Sequence, residues 1–148
     1  MSAMQTSANG RKLIEEFEGL RLTSYQDQRG IWTIGYGHTA NVFANETITQ
    51  AEADDFLAID LHQVETVIYN DVKVPLNQNQ FDALVSFIYN IGSGNFADST
   101  LLQMLNLSNY SGAAEQFMKW IYTNGTVNPG LERRRAAEQA LFLTPETI

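Results

Sequence analysis

The sequence predicts an α+β fold, with a small N-terminal antiparallel sheet lobe beside a larger helical C-terminal lobe. Three observations carry this. Apolar residues recur at helical spacing at the start of the chain and again through most of the stretch after residue 49. Between them, residues 21–39 are rich in Thr, Tyr, Trp, Ile and Gly, the composition of short strands. Strands gathered at one end of a mostly helical chain define the α+β class, and the junction of two such lobes leaves a cleft in which ligands bind.

Residues 1–8 read as a loose tail and residues 9–148 as one domain. The first helix covers about residues 9–18, with Leu13, Ile14, Phe17 and Leu20 on one face and Gly19 as terminator. The turn that follows is Asp27, Gln28, Arg29, Gly30. A two-residue loop pairs Asp27 with Gly30. A three-residue loop, with Gly30 as a left-handed bulge, pairs Asp27 with Ile31. Only the second register puts Asp27 and Thr33 on one sheet face, because strand side chains alternate.

Thr49 and Glu52 form a capping box. The helix they open runs to about Tyr69 and carries the stripe Ala53, Leu57, Leu61, Val64 and Ile68. Residues 72–76 contain Pro75 and are expected to be extended. Asn77 caps a central helix with Phe81, Leu84, Val85, Ile88 and Ile91 facing inward, ending near Gly92. Ser99 and Ser111 are expected to cap two short helices, which bury Leu101, Leu102 and Leu105, then Ala114, Phe117 and Met118. Pro129 sits near the start of a last helix that runs to Leu143. The expected order is one helix, a sheet and five helices.

Composition excludes several classes of function. At 148 residues and 44% hydrophobic, the chain is long enough for one packed core. With no cysteine, it has neither disulfides nor thiolate chemistry. Its histidines, His38 and His62, lack partners at metal-ligand spacing, so neither metal nor cofactor is expected. A net charge of −8 argues against nucleic acid, whose binding rests on Lys and Arg at phosphates. No apolar run reaches the roughly 20 residues of a membrane-spanning helix, so stable membrane insertion is not expected. The first twelve residues lack the apolar core of a secretory signal, which implies synthesis in the cytoplasm.

The chemistry is expected around Glu18, Asp27 and Thr33. Glu18 ends an apolar helix one residue after Phe17, and a carboxyl against apolar surface tends to keep its proton. Asp27 lies at the open mouth of the hairpin, where a carboxylate stays ionised. Glycoside hydrolysis needs such a pair, one acid for the leaving oxygen and one base or nucleophile across the sugar. Thr33 is placed to hold a water beside Asp27.

The same residues carry a resemblance. Glu18, eight residues, Asp27, five residues and Thr33, continued by Ile34-Gly-Tyr-Gly-His38-Thr39, resemble the signature of the phage-type lysozymes, or endolysins. The stretch from Asn79 to Gly92 is similar to the family's central helix. Gly130-Leu-Glu-Arg-Arg-Arg-Ala-Ala-Glu138 is similar to its C-terminal Gly-Leu-x-x-Arg-Arg-x-x-Glu run. The resemblance covers about residues 9–143. It implies a two-lobed lysozyme-like fold and hydrolysis of the β-1,4 bond between N-acetylmuramic acid and N-acetylglucosamine in bacterial peptidoglycan. Glu18 is then the proton donor, and Asp27 with Thr33 positions water so that the anomeric centre inverts.

The resemblance also implies substrate contacts. Tyr89 and Asn90 correspond to positions lining the cleft, for stacking on a sugar and bonding an N-acetyl group. Gly35 and Gly37 are expected to let the backbone bend beneath the cleft, close to the substrate, and Gly35, Tyr36 and His38 are expected among the substrate-binding residues. One of Arg133, Arg134 and Arg135 should approach Glu18. Peptidoglycan glycan strands are the expected partner of a monomeric chain acting in the periplasm or cell wall. Two alternatives use the same fold: a silent glycan-binding module, which has no need of all three residues, and a lytic transglycosylase, which has no need of a water-positioning pair.

Charge leads to a measurable outcome. Peptidoglycan carries carboxylates, so a −8 chain is repelled from walls unless its cleft is locally positive. Moderate salt should therefore raise activity on cell walls by screening. A steady fall in activity from low to moderate salt contradicts this.

Overall fold

The computed structural model describes residues 4–146. Helix α1 (Ala8–Glu18) leads into a hairpin of β1 (Arg21–Gln26) and β2 (Trp32–Gly35). Six further helices follow: α2 (Gln50–Asp71), α3 (Gln78–Ile91), α4 (Ser93–Ala97), α5 (Thr100–Asn106), α6 (Tyr110–Gln116) and α7 (Pro129–Leu143). A second hairpin, β3 (Tyr122–Thr123) and β4 (Thr126–Val127), precedes α7. The architecture is the expected α+β arrangement, with the β1–β2 sheet at the N-terminal end.

Helix α3 is the centre of the molecule. Every residue from Phe81 to Ile88 is buried, because α1, α2 and α7 all pack around it. Phe87 meets Phe117 and Trp120 edge-on at 5.1 and 5.8 Å, an arrangement that suits aromatic quadrupoles. The capping box at Thr49 and Glu52 is formed, as is a second one at Asn77 and Gln80. Pro129 occupies the first turn of α7, where its missing N–H costs nothing.

The hairpin adopts the three-residue loop. The Asp27 N–H donates to the Ile31 carbonyl at 2.9 Å, Tyr25 pairs with Thr33, and Gly30 has φ +80°. Asp27 and Thr33 therefore share one face of the sheet.

Four details differ from expectation. Residues 4–7 are anchored rather than loose. Ser7 caps α1, Met4 packs on the core, and the Thr6 N–H and hydroxyl donate to Glu65 at 2.8 and 2.7 Å. The Ser7 N–H donates to the buried Asp82 at 3.0 Å. The tail reading of residues 1–3 lies outside the described residues. The cap of α6 is Asn109 rather than Ser111, because Ser108 takes φ +62° and turns the chain so that Asn109 reaches the Gly112 N–H. Helix α4 is an addition, one turn too short to show a period. The β3–β4 hairpin turns on Asn124 and Gly125, both at positive φ, and that Asn-Gly pair is a strong two-residue hairpin signal.

Gly10 marks the tightest packing of α1. A Cβ there would lie 2.7 Å from Cγ of Asp82. Overpacking costs about 1–3 kcal/mol against a helix-propensity gain of about 1 kcal/mol. Gly10→Ala should thus lower the urea midpoint of unfolding. A raised midpoint would show that α1 and α3 can separate freely here.

Candidate active site

Glu18 is the last residue of α1. Gly19, at φ +71°, lets the backbone leave the helix directly behind it. Nη1 of Arg134 on α7 donates to Glu18 Oε2 at 2.6 Å, and Oε1 lies against Gly37. The Glu18 side chain keeps 19% of its surface exposed, so the carboxyl is shielded but reachable.

Asp27 sits at the hairpin mouth with both oxygens engaged. Oδ1 accepts the backbone N–H of Arg29 at 2.8 Å and of Ile31 at 3.0 Å, and Oδ2 accepts from the Arg29 guanidinium at 3.0 Å. The Ile31 N–H first, then Arg29, hold the Asp27 carboxyl below its ordinary value, so it stays ionised. The Thr33 hydroxyl donates to the Ile31 carbonyl at 2.9 Å, which leaves its oxygen free to accept from a water.

Glu18, Asp27 and Thr33 line one cleft of about 490 Å³, together with Tyr89 and Asn90. Tyr89 also serves as a tether. Its hydroxyl donates to the Tyr36 carbonyl at 2.6 Å, joining α3 to the sheet lobe. Burial, and then the charge of Glu18, push its phenol above the ordinary range, so it remains a donor.

Gly35, Tyr36 and His38 are elsewhere. A tight loop, closed by paired hydrogen bonds between Ile34 and His38 at 2.9 Å, turns them toward α2. Gly35 packs on Ala53 and Ile48. The Tyr36 hydroxyl accepts from Gln50 at 3.0 Å. His38 stacks on Phe56 at 4.3 Å, and its Nδ1 bonds Asp60 at 2.8 Å. These three residues support the floor of the site and do not line the cleft.

Arg134 is the arginine that approaches Glu18, and it belongs to a buried network that the arginine run concealed. Glu138, fully buried, accepts from Arg134 Nε at 3.2 Å, from Arg135 Nη1 at 2.5 Å and from the Ser86 hydroxyl at 2.5 Å. Arg135 is fully buried as well and donates to the Trp120 carbonyl at 3.2 Å and to Asn90 Oδ1. Burial pushes the Glu138 carboxyl above its ordinary value, against the pull of Arg135 and Arg134. Burial likewise lowers Arg135, opposed by Glu138. The i, i+3 and i, i+4 spacings that gather these side chains were in the sequence, but they read equally well as a solvated face.

A shielded carboxyl and an ionised one on a shared cleft define a site for glycosidic bond cleavage. Comparison with known proteins agrees. The model of the phage lysozyme family matches residues 15–138. The chain is 50% identical to the endolysin of Acyrthosiphon pisum secondary endosymbiont phage 1, over 94% of this chain and 98% of that one. It is 48% identical to the endolysin of Salmonella phage P22, over 95% and 99%. The muramidase domain of SpmX from Asticaccaulis excentricus superposes with a TM-score of 0.90 at 43% identity, covering 95% of this chain and 99% of that one. The chain belongs to the phage lysozyme family. It is a peptidoglycan-hydrolysing lysozyme.

Gly37 is the position where backbone geometry and chemistry meet most closely. It has φ +86°, and a Cβ there would lie 2.9 Å from Glu18 Oε1 and 3.7 Å from the Tyr89 hydroxyl. Gly37→Ala should lose at least about tenfold in kcat/KM and about 1–3 kcal/mol in stability, from strain at positive φ and displacement of Glu18. Steady-state turnover and urea unfolding measured together check this. Unchanged turnover would show that the loop does not set the position of Glu18.

Proposed function

We propose that the chain cleaves the β-1,4 bond between N-acetylmuramic acid and N-acetylglucosamine by a single displacement that inverts the anomeric centre. Glu18 gives its proton to the glycosidic oxygen as the bond from the anomeric carbon breaks. A water held by Asp27 and Thr33 adds to that carbon from the opposite face and passes a proton to Asp27. Solvent returns the proton from Asp27 to Glu18. As Glu18 gives up its proton, its new carboxylate faces Arg134 at 2.6 Å, which favours completion of that transfer before solvent restores the acid.

The observation that carries this reading is the shared cleft of Glu18, Asp27 and Thr33. Asp27 and Thr33 offer two acceptors on one sheet face, which suits a water that donates to both and turns a lone pair to the sugar. The weak basicity of Asp27 suffices, because water attacking an oxocarbenium-like carbon is already acidic. The cleft and its three residues come from one chain, so the reading needs only a monomer, acting at the cell wall.

Purified glycan strands provide the test. The wild type should release reducing ends whose mass includes added water, with the α-anomer forming first by nuclear magnetic resonance. Glu18→Gln should lower kcat by about 10²–10⁴-fold while keeping the wild-type fold. Anhydro products would replace this reading with transglycosylation. A β-anomer formed first would replace it with a retaining route, and full activity in Glu18→Gln would remove the assigned acid.

A further inference from the structure

Glu138 touches no cleft, yet its two carboxylate oxygens lead to two residues that do. One oxygen accepts from Arg134 Nε, and Nη1 of the same guanidinium holds Glu18. The other accepts from Arg135 Nη1, and Nη2 of that guanidinium holds Asn90. Glu18 and Asn90 both line the cleft. A guanidinium is a planar fork with donors only, so the direction of one arm fixes that of the other. The network is closed at its remaining positions as well. Arg134 Nη2 donates to the Ser86 carbonyl at 3.1 Å, Arg135 Nε donates to Trp120, and Arg135 lies 5.1 Å over the Phe87 ring.

The network also sets the sense of the Asn90 amide. Because Arg135 only donates, the atom facing it must be Oδ1. That leaves the Nδ2 protons for the cleft, where they suit a carbonyl acceptor such as that of an N-acetyl group.

We propose that Glu138 is a positioning residue for the reaction, holding Glu18 through Arg134 and the Asn90 amide through Arg135, so that proton donor and sugar contact move as one unit. This rests on the hydrolysis reading above. One buried carboxylate serves both ends, whereas two separate supports would let the acid and the amide drift independently. A misplacement of one ångström is enough to slow a positioned reaction severely.

Kinetics on uncross-linked peptidoglycan strands test it, with wild type, Glu138→Gln, Arg135→Met and Asn90→Asp compared well below each melting midpoint. In Glu138→Gln the carboxamide turns donors toward one arginine, so kcat should fall and KM should rise, each by about tenfold. Arg135→Met keeps the Glu138–Arg134–Glu18 arm and removes the donors to Asn90, to the second Glu138 oxygen and to Trp120, so KM should rise about tenfold with kcat within about twofold. Asn90→Asp still accepts from Arg135 but offers the cleft an acceptor in place of a donor, so its KM should rise as in Arg135→Met. If Glu138→Gln does not fold, the split between KM and kcat in the other two variants decides the matter. Folded variants that melt earlier but keep wild-type kcat and KM overturn the inference and leave Glu138 a structural residue. A wild type that releases no reducing ends in the same assay instead overturns the hydrolysis reading.

Discussion

The interaction on which the rest depends is the ion network of α7, which reaches Glu18 at the end of α1 and hydrogen-bonds Ser86 and Asn90 of α3. Glu138 and Arg135 have no solvent exposure, and Arg134 has almost none. Removing one member of such a set leaves a buried charge without a partner, at a cost of about 3–5 kcal/mol. Each neighbour of Glu138 donates to it, and each arm of the two arginines reaches an oxygen. The helical lobe is thus held in one packing, and the end of α1 is drawn to α7 through Arg134.

A second constraint comes from the hairpin. Gly30 takes the left-handed conformation, the loop has three residues, and Asp27 faces the same way as Thr33. A one-residue slip would turn Thr33 to the opposite face, away from Asp27. The sheet lobe is in turn fastened to the helices by the Tyr89 hydroxyl and by the Ile34–His38 loop with its His38–Asp60 bond. The two carboxyls thus belong to two lobes joined by these bonds and by the packing of Gly35 on Ala53 and of His38 on Phe56.

Much of the fold was legible along the chain. Apolar stripes marked α2 and α3, and local caps at Thr49, Asn77 and Ser99 marked helix starts, because each signal lies within a few residues of what it causes. The Asn-Gly turn at residues 124–125 is a local signal of the same kind, but the strands it joins have two residues each, too few to show alternation. Helix α4 had no such signal, since one turn shows no period. The anchoring of residues 4–7 depends on Glu65 and Asp82, far along the chain, which no local pattern could report.

The site divides in the same way. Glu18, Asp27 and Thr33 as candidates, with the two registers their turn allowed, came from sequence alone, through local spacing along a helix end and a hairpin together with the resemblance to the phage-type lysozyme signature. The choice between those registers needed the folded hairpin. Three further matters were also decided only by tertiary structure: which of three adjacent arginines meets Glu18, that Gly35, Tyr36 and His38 turn toward α2 and do not line the cleft, and that Arg135 and Glu138 are buried. Neighbouring helical residues differ in direction by about 100°, so what each one meets is set by the elements packed around α7 and not by its place in the run.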